Sequence, residues 1–369
     1  MKICYLSASI VPSMSANSLQ IMKMCNAFTE AGHTVTLYCR TSPFDYSGDY
    51  QFYAVENYFR IRKMQYPQIR GLGNLFFVWQ INQDIKRYPL PDIFYGREAS
   101  SLLSVSRLGR PVYYESHGLP SNDFRFYLLK KLLKNKYFHT LVAVNSLLKN
   151  EYLRLFPWLD ERKIKVIPNA TNIPQKKIKK DISQKHFQNL HFKVGYVGSI
   201  FPGKSMEIIL PLAARLPEVD FYVMGGTQSE IDNLKEQSHQ KNIKYLGFIS
   251  HRDKSYYYQF FDVLIAPYQR KIGIYGGKSM KSDWLSPLKI FEYMGQGKAI
   301  IASDLPSIRE ILDDQKDCLL CNPNDLTSWE NALRKLMHNS ELRHSFGKKI
   351  YQKFIQEYTW EKRVKKILE

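Results

Sequence analysis

The feature that most narrows the fold is a pattern that runs through the chain once and then starts again. Residues 3–8 (ICYLSA) are a short apolar run, followed by a Ser/Pro loop. Ile21, Met24, Cys25 and Phe28 then recur at i, i+3, i+4 and i+7, which predicts a helix, and Gly32 stands where a helix stops. The next run, 35–38, is strand-like, so the opening reads strand, loop, helix, strand: one parallel βαβ unit. Further strands are expected at 93–95, 112–115, 141–144 and 165–167, with gaps long enough for crossover helices. Between Asn169 and Leu190 the chain turns polar and Lys-rich without a core-forming period, which suits a linker. The pattern then restarts with a strand at 193–197, a glycine loop at 198–204 and a helix face of Met206, Ile209, Leu210 and Ala213. Strands are expected again at 221–224, 244–248, 263–266 and 299–302.

This is an α/β chain of two Rossmann-like domains, expected at 1–185 and 190–351. At 369 residues it exceeds the length at which single cores stop growing. There is no short-period repeat of the solenoid kind. In open parallel sheets ligands collect beyond the carboxyl ends of strands, which directs attention in the first half to 9–17, 115–118 and 145–146.

Composition bounds the partners. No stretch approaches the roughly 18 uninterrupted apolar residues of a membrane span, and MKICYLSASIV is a strand pattern without the cleavage region of a signal peptide. A cytoplasmic location is expected. Five cysteines, Cys4, Cys25, Cys39, Cys318 and Cys321, are sparse and odd in number, unlike a disulfide framework. Cys318 and Cys321 form a lone Cys-x-x-Cys with no second pair or nearby His to complete a zinc site, so no metal site is expected. The net charge of +19 should attract phosphate-rich partners. Nucleic acid is not expected, because no zinc finger, RRM signature or basic zipper is visible.

Residues 198–205, GSIFPGKS, satisfy the P-loop pattern and sit between a strand and a helix. A P-loop enzyme also wants an apolar strand ending in an Asp for magnesium, and the nearest approach is Asp304 in AIIASDLP, roughly a hundred residues on. Backbone amides at a helix start together with Lys204 seat a diphosphate on either reading.

The stretch 282–312, SDWLSPLKIFEYMGQGKAIIASDLPSIREIL, resembles the donor-site segment of family 4 glycosyltransferases. YVGSIFPGKSMEIILPLAARLPEVDFYVMGG and YLGFISHRDKSYYYQFFDVLIAPY resemble that family's donor domain in the same order. SANSLQIMKMCNAFTEAGHTVTLY and YYESHGLP resemble its acceptor-side loop and central strand, and YTWEKRVKKIL its closing helix. The resemblance implies a GT-B fold, two Rossmann-like domains facing across a cleft, with 352–369 returning to complete the first domain. It implies a retaining, metal-independent transferase that takes a nucleotide-diphosphate sugar as substrate, needs no cofactor, and acts on a glycan or lipid-linked acceptor. A hinge closing around the donor would exclude water.

By that resemblance Glu292 accepts hydrogen bonds from the ribose hydroxyls, and Lys204 and Lys289 meet the diphosphate, stabilising the charge that grows on the leaving nucleotide. Gly198, Ser199, Gly225 and Phe248 would lie against phosphate and base, and Ser286, Pro287 and Leu288 would face donor sugar and phosphate. The family often carries a first carboxylate eight residues before Glu292; here that position is Trp284, with Asp283 one step away. Either Asp283 supplies the carboxylate or backbone amides hold the sugar. Where the family commonly has Arg, this chain has Ser199, which leaves Lys289 to carry the second positive charge. Ser15, Ala16, Asn17 and His117 are the expected acceptor side, with His117 near the reacting carbon. The leaving phosphate would accept the acceptor's proton in a same-face attack, so no protein nucleophile is required; Glu115 is the nearby carboxylate that stands as the rival candidate.

The segment 124–138, FRFYLLKKLLKNKYF, spaces Leu128, Leu129, Leu132 and Leu133 helically among Arg125, Lys130, Lys131, Lys134 and Lys136. It fits either a helix lying on an anionic membrane, which would place the protein peripherally on the inner face, or a crossover helix with its apolar side in the core. Relatives that build envelope glycans imply the former. Two rival functions remain open: a P-loop NTPase using 198–205, and a non-catalytic nucleotide-sugar or nucleic-acid binding module.

Overall fold

The computed structural model describes residues 1–43, 48–56, 58–67, 69, 72–174, 187, 190–274 and 278–369. Most of the segment read as a linker, 175–186 with 188 and 189, lies outside the described residues. The chain divides into two compact units, Met1–Pro168 with Trp360–Glu369, and Asn169–Thr359.

The first unit is built on a seven-stranded sheet of β1 (Lys2–Val11), β2 (Thr34–Thr41), β3 (Arg60–Met64), β4 (Ile93–Gly96), β5 (Val112–Ser116), β6 (Phe138–Ala143) and β7 (Ile164–Val166). Its order is β3-β2-β1-β4-β5-β6-β7, and every pairing is parallel. Helices cover both faces of such a sheet, so its central strands are buried along their whole length rather than on alternate residues: all of β4 and β5 is buried, Glu115 and Ser116 at the end of β5 included. The helix Ala16–Glu30 starts on the Ser15 hydroxyl, which accepts from the Asn17 amide, and packs against the last helix, Trp360–Leu368.

The second unit repeats the plan with six parallel strands, β8 (Phe192–Val197), β9 (Val219–Met224), β10 (Ile243–Gly247), β11 (Val263–Ala266), β14 (Ala299–Ser303) and β15 (Leu319–Cys321), in the order β10-β9-β8-β11-β14-β15. Between β11 and β14 a two-stranded antiparallel ribbon is inserted, β12 (Lys271–Ile274) with β13 (Lys278–Lys281).

The units meet at bounds different from the 185/190 and 352 read in the sequence. Asn169 and Ala170 are buried in the second unit, where the Asn169 amides donate to Ser286 Oγ (2.9 Å) and Ser286 O (2.7 Å), and Thr171 bridges to Thr359. The helix Ser340–Glu357 drives Phe346 into one hydrophobic cluster of the second unit and Ile350 and Phe354 into another, so the return to the first unit begins only at Trp360.

Candidate active site

Strand order reverses around β8, whose neighbours are β9 on one side and β11 on the other, and the carboxyl ends of these strands form the crevice typical of ligand sites in open sheets. Two glycines let the backbones converge there. A Cβ on Gly225 (φ +135°) would stand 2.0 Å from the Gly198 carbonyl oxygen, and Gly198 itself has φ +148°. The Gly198 amide donates to Met224 O (2.8 Å) and the Gly225 amide to Gly247 O (2.7 Å). In the loop that follows, Lys204 Nζ donates to Ser199 Oγ (2.7 Å), Tyr196 OH donates to Ser199 O (2.6 Å), and the Gly203 amide donates to Glu207 Oε1 (2.6 Å). Burial lowers the Lys204 ammonium to about 8.

The helix Leu288–Gln296 aims at this loop. Lys289, Glu292 and Tyr293 are spaced i, i+3, i+4 and so share one face. Tyr293 OH accepts from the Val197 amide (2.8 Å) and lies 3.4 Å from Ile265 O, which ties the helix to the ends of both β8 and β11. That anchoring delivers Lys289 into the interior, 8% exposed, with its ammonium 3.8 Å from the Tyr196 ring centre and 4.7 Å from that of Tyr268. Among the described residues Lys289 Nζ has no hydrogen-bond partner. Its ammonium is held well below the ordinary lysine range, first by burial and then by repulsion from Lys204, against a smaller attraction to Glu292. Cation–π contacts only partly replace lost water. An uncompensated buried ammonium is costly unless an anion joins it, so this group fits a ligand that carries negative charge.

Glu292 is already engaged on both carboxylate oxygens: Lys254 donates to Oε1, and Tyr258 OH donates to Oε2 at 2.8 Å. Each oxygen retains a second lone pair for a hydroxyl donor. Ser286 is buried and taken up by Asn169, Pro287 caps the helix start, and Leu288 is its first residue. Asp283 lies exposed in a short 3-10 turn, Ser282–Trp284, and Phe248 is also exposed, edge-on to His251. Gly198, Ser199, Lys204, Gly225, Lys289 and Glu292 thus come together at one end of one sheet.

A second cluster stands at the ends of β1, β4 and β5 in the first unit. Glu115, fully buried on β5, has His117 Nε2 at 2.6 Å from Oε1, receives Gln20 Nε2 on the same oxygen (2.7 Å), and accepts Tyr95 OH on Oε2. Burial alone would raise this carboxyl, but Arg363, the His117 hydrogen bond and Arg97 outweigh it and hold it well below the carboxylate range. Glu115 is therefore an acceptor, which makes His117 Nε2 the donor and leaves Nδ1 as the ring's acceptor nitrogen. Burial, then repulsion from Arg97, lowers His117 to about 4, so its ring is neutral near pH 7. Arg97 links the cluster to the loop expected on the acceptor side, donating to Gln20 Oε1 and Asn17 Oδ1, each at 3.1 Å. Ser15 and Ala16 begin that helix beside Asn17.

Sequence reasoning missed Lys254, Tyr258 and Tyr293 in one cluster and Gln20, Tyr95, Arg97 and Arg363 in the other. Tyr293 could have been found from its i+4 spacing to Lys289, whereas the others reach the sites from strand ends and helices remote in sequence. Among the described residues no group of three or more His, Cys, Asp or Glu side chains is arranged around a metal position. Cys318 and Cys321 are both buried, each thiol pointing at a backbone carbonyl, of Asp313 and Ser328 respectively. Asp304, the magnesium candidate of the P-loop reading, is held by Arg309.

Two family models match in succession: Glycosyltransferase Family 4 over residues 19–174, and Glycosyl transferases group 1 over residues 191–339. Among curated proteins, the chain is 26% identical over 165 residues to a phosphatidyl-myo-inositol mannosyltransferase of Mycolicibacterium smegmatis, a match covering 43% of this chain and 39% of that protein. It is 22% identical over 306 residues to an uncharacterized glycosyltransferase of Methanocaldococcus jannaschii, covering 80% and 79% of the two. Among solved structures, sucrose-phosphate synthase of Thermosynechococcus elongatus superposes with a TM-score of 0.75 at 17% identity, covering 100% of this chain and 96% of that one. Anabaena HepE, solved with UDP and glucose, gives 0.74 at 16%, covering 100% and 98%. Two parallel-sheet α/β units with these likenesses define the GT-B fold, and the paired family matches make the chain a glycosyltransferase of the family 4 type.

Proposed function

We propose that the chain is a retaining, metal-independent glycosyltransferase that moves a sugar from a nucleotide-diphosphate sugar onto a glycan or lipid-linked acceptor in cell-surface polysaccharide assembly. The observation that carries this reading is the buried ammonium of Lys289, without a hydrogen-bond partner among the described residues, beside Gly198 and the Lys204 loop, a seat for a diphosphate. Lys204 and Lys289 would neutralise the phosphates and, as the sugar–phosphate bond breaks, the charge left on the nucleotide. Glu292, oriented by Lys254 and Tyr258, would take the ribose hydroxyls. Phe248 would lie against the base, and Ser286, Pro287, Leu288 and Asp283 against the sugar and its phosphate. On the acceptor side, neutral His117, with Ser15, Ala16 and Asn17, would orient the sugar or the incoming hydroxyl. The acceptor oxygen would bond to the anomeric carbon on the face the phosphate leaves, and the phosphate oxygen would take the proton.

Neighbours support the donor class, since HepE was solved with UDP-glucose and a Staphylococcus aureus TarM variant with UDP. The cell-surface role is supported by likeness to WaaG of lipopolysaccharide synthesis and to a putative teichuronic acid glycosyltransferase of Bacillus subtilis.

A peripheral membrane position is part of the proposal. Leu129, Leu132 and Leu133 of the helix Asp123–Leu133 are buried, so the leucine stripe belongs to the core; what faces outward is Phe124, Tyr127, Arg125, Lys130, Lys131 and Lys134. The helix packs on Ala99–Ser106, which packs on Leu72–Ile85, where Leu72, Leu75, Phe76 and Trp79 are exposed at i, i+3, i+4 and i+7. Apolar side chains beside lysines suit an anionic lipid surface.

The test is a thermal-shift screen of UDP, GDP, ADP, CMP and ATP, run once with EDTA and once with magnesium, because a ligand that binds the native state raises the melting temperature. A selective rise with one nucleoside diphosphate, lost in Glu292→Ala, supports the donor site. A response only to ATP with magnesium would overturn it in favour of a P-loop enzyme.

A further inference from the structure

The last helix does more than close the fold. Its Arg363 is 1% exposed, yet it is a cation in the interior of the first unit. Two backbone carbonyls at the end of β7, Ile167 O (2.6 Å) and Pro168 O, accept from its NH1, while NH2 lies 2.9 Å from Glu115 Oε1. That same oxygen is the one 2.6 Å from His117 Nε2. A carboxylate buried without a cation would take up a proton or turn away. A protonated Glu115 would no longer be acceptor-only, and the His117 ring would lose the partner that fixes its tautomer.

We propose that Arg363 is a positioning residue for His117: it holds Glu115 ionised and in place, and Glu115 in turn fixes the His117 ring with Nδ1 as its acceptor. The inference rests on the reading that His117 serves the transfer, and it adds the group through which the carboxyl-terminal helix governs it. The charged and titratable groups facing the pair are Arg363 from the last helix, Arg97 and Tyr95 from the β4 end, Tyr5 from β1 and the buried Cys25 thiol from the first helix, which also supplies Gln20 as a neutral amide. Arg97 donates to Gln20 and Asn17, so Arg363 is the cation within ion-pair distance of Glu115 among the described residues. Lysine cannot replace it fully, because one ammonium lacks the planar fork that spans two carbonyls and a carboxylate.

The test follows the histidine ring signals of the full chain by NMR through a pH titration, with His117 assigned by its loss in His117→Asn. In the wild type His117 should titrate well below the ordinary histidine value. In Arg363→Gln its midpoint should fall by about half a pH unit or more, because the Glu115 hydrogen bond and attraction that hold it up outweigh the Arg363 repulsion that is removed with them, with Arg363→Lys in between. Should Arg363→Gln fail to fold, Arg363→Lys must still move the midpoint downward. An unmoved His117 titration in a folded Arg363 variant overturns the proposal. Turnover of the nucleotide sugar found in the screen gives the second readout: Arg363→Gln should lower kcat with the donor KM little changed, and an unaffected kcat counts against the relay. If the wild type turns over no nucleotide sugar, it is the functional reading that fails, while the titration still decides the relay.

Discussion

The ammonium of Lys289 stands where a side chain on residue 198 would be: a Cβ built on Gly198 falls 2.9 Å from both Lys289 Cε and Nζ. A residue without a side chain makes the space for a cation that has no hydrogen-bond partner among the described residues. A group arranged this way serves binding at a cost to the unliganded fold, and the two effects can be separated.

Lys289→Met should therefore raise the melting temperature of the ligand-free protein while abolishing its response to nucleoside diphosphates. The methionine keeps the length and removes the buried charge. Relief of about 1–2 kcal/mol, the low end of what an unsatisfied buried polar group costs, corresponds to a rise of several degrees. A variant that melts lower than the wild type, or still shifts with the nucleotide, would contradict this account.

Lys204 should report binding through its proton. Its free-state value of about 8 leaves the ammonium partly deprotonated at pH 8.5, and a bound diphosphate favours the charged form. Calorimetric titration at pH 8.5 in buffers of different ionisation enthalpy should show net proton uptake, reduced in Lys204→Met to what Lys289 alone takes up, and affinity should fall as pH rises from 7.5 to 9.5. Thermal stability is the wrong readout for this group. Lowered lysines make stability rise with pH through that range, but the five buried thiols, all held above their ordinary value, act oppositely. Their contribution is complete below about pH 8.5 and is lost above it, since the unfolded chain releases those protons first.

The βαβ alternation was legible because buried parallel strands read as apolar runs: 263–266 is the strand Val263–Ala266, and 193–197 lies within Phe192–Val197. Arg60–Met64 escaped because RIRKM is an edge strand with little buried surface, and Leu319–Cys321 because three residues carry no period. Of the sites, Lys204, Lys289 and Glu292 were legible as a resemblance in order and spacing. Arg363 was not, because its partner lies 248 positions earlier by subtraction of the numbers 115 and 363, and only the fold joins them. The segment 124–138 was read with its leucines as a possible membrane face; three of them turned out to fill the core, and the cations and aromatics opposite are the exposed set.

That exposed set leads to the vesicle experiment. If Lys130, Lys131 and Lys134 with Phe124, Tyr127 and the Leu72–Trp79 ridge meet a membrane, attraction should be electrostatic first and apolar second. The protein should sediment with vesicles containing phosphatidylglycerol, weakly or not at all with phosphatidylcholine alone, and the bound fraction should fall as salt rises from 50 to 500 mM. Replacing the three lysines by glutamate should remove binding at low salt. Trp79→Ala should instead leave the initial attraction and weaken the salt-resistant fraction, because the stacked Phe76–Trp79 pair supplies apolar area rather than charge. Neither variant touches the Lys289 or His117 clusters, so the nucleotide response should stay at the wild-type level in both. Equal sedimentation with neutral and anionic vesicles would refute the electrostatic step, and lysine-to-glutamate variants that bind as the wild type does would remove this face from the proposal altogether.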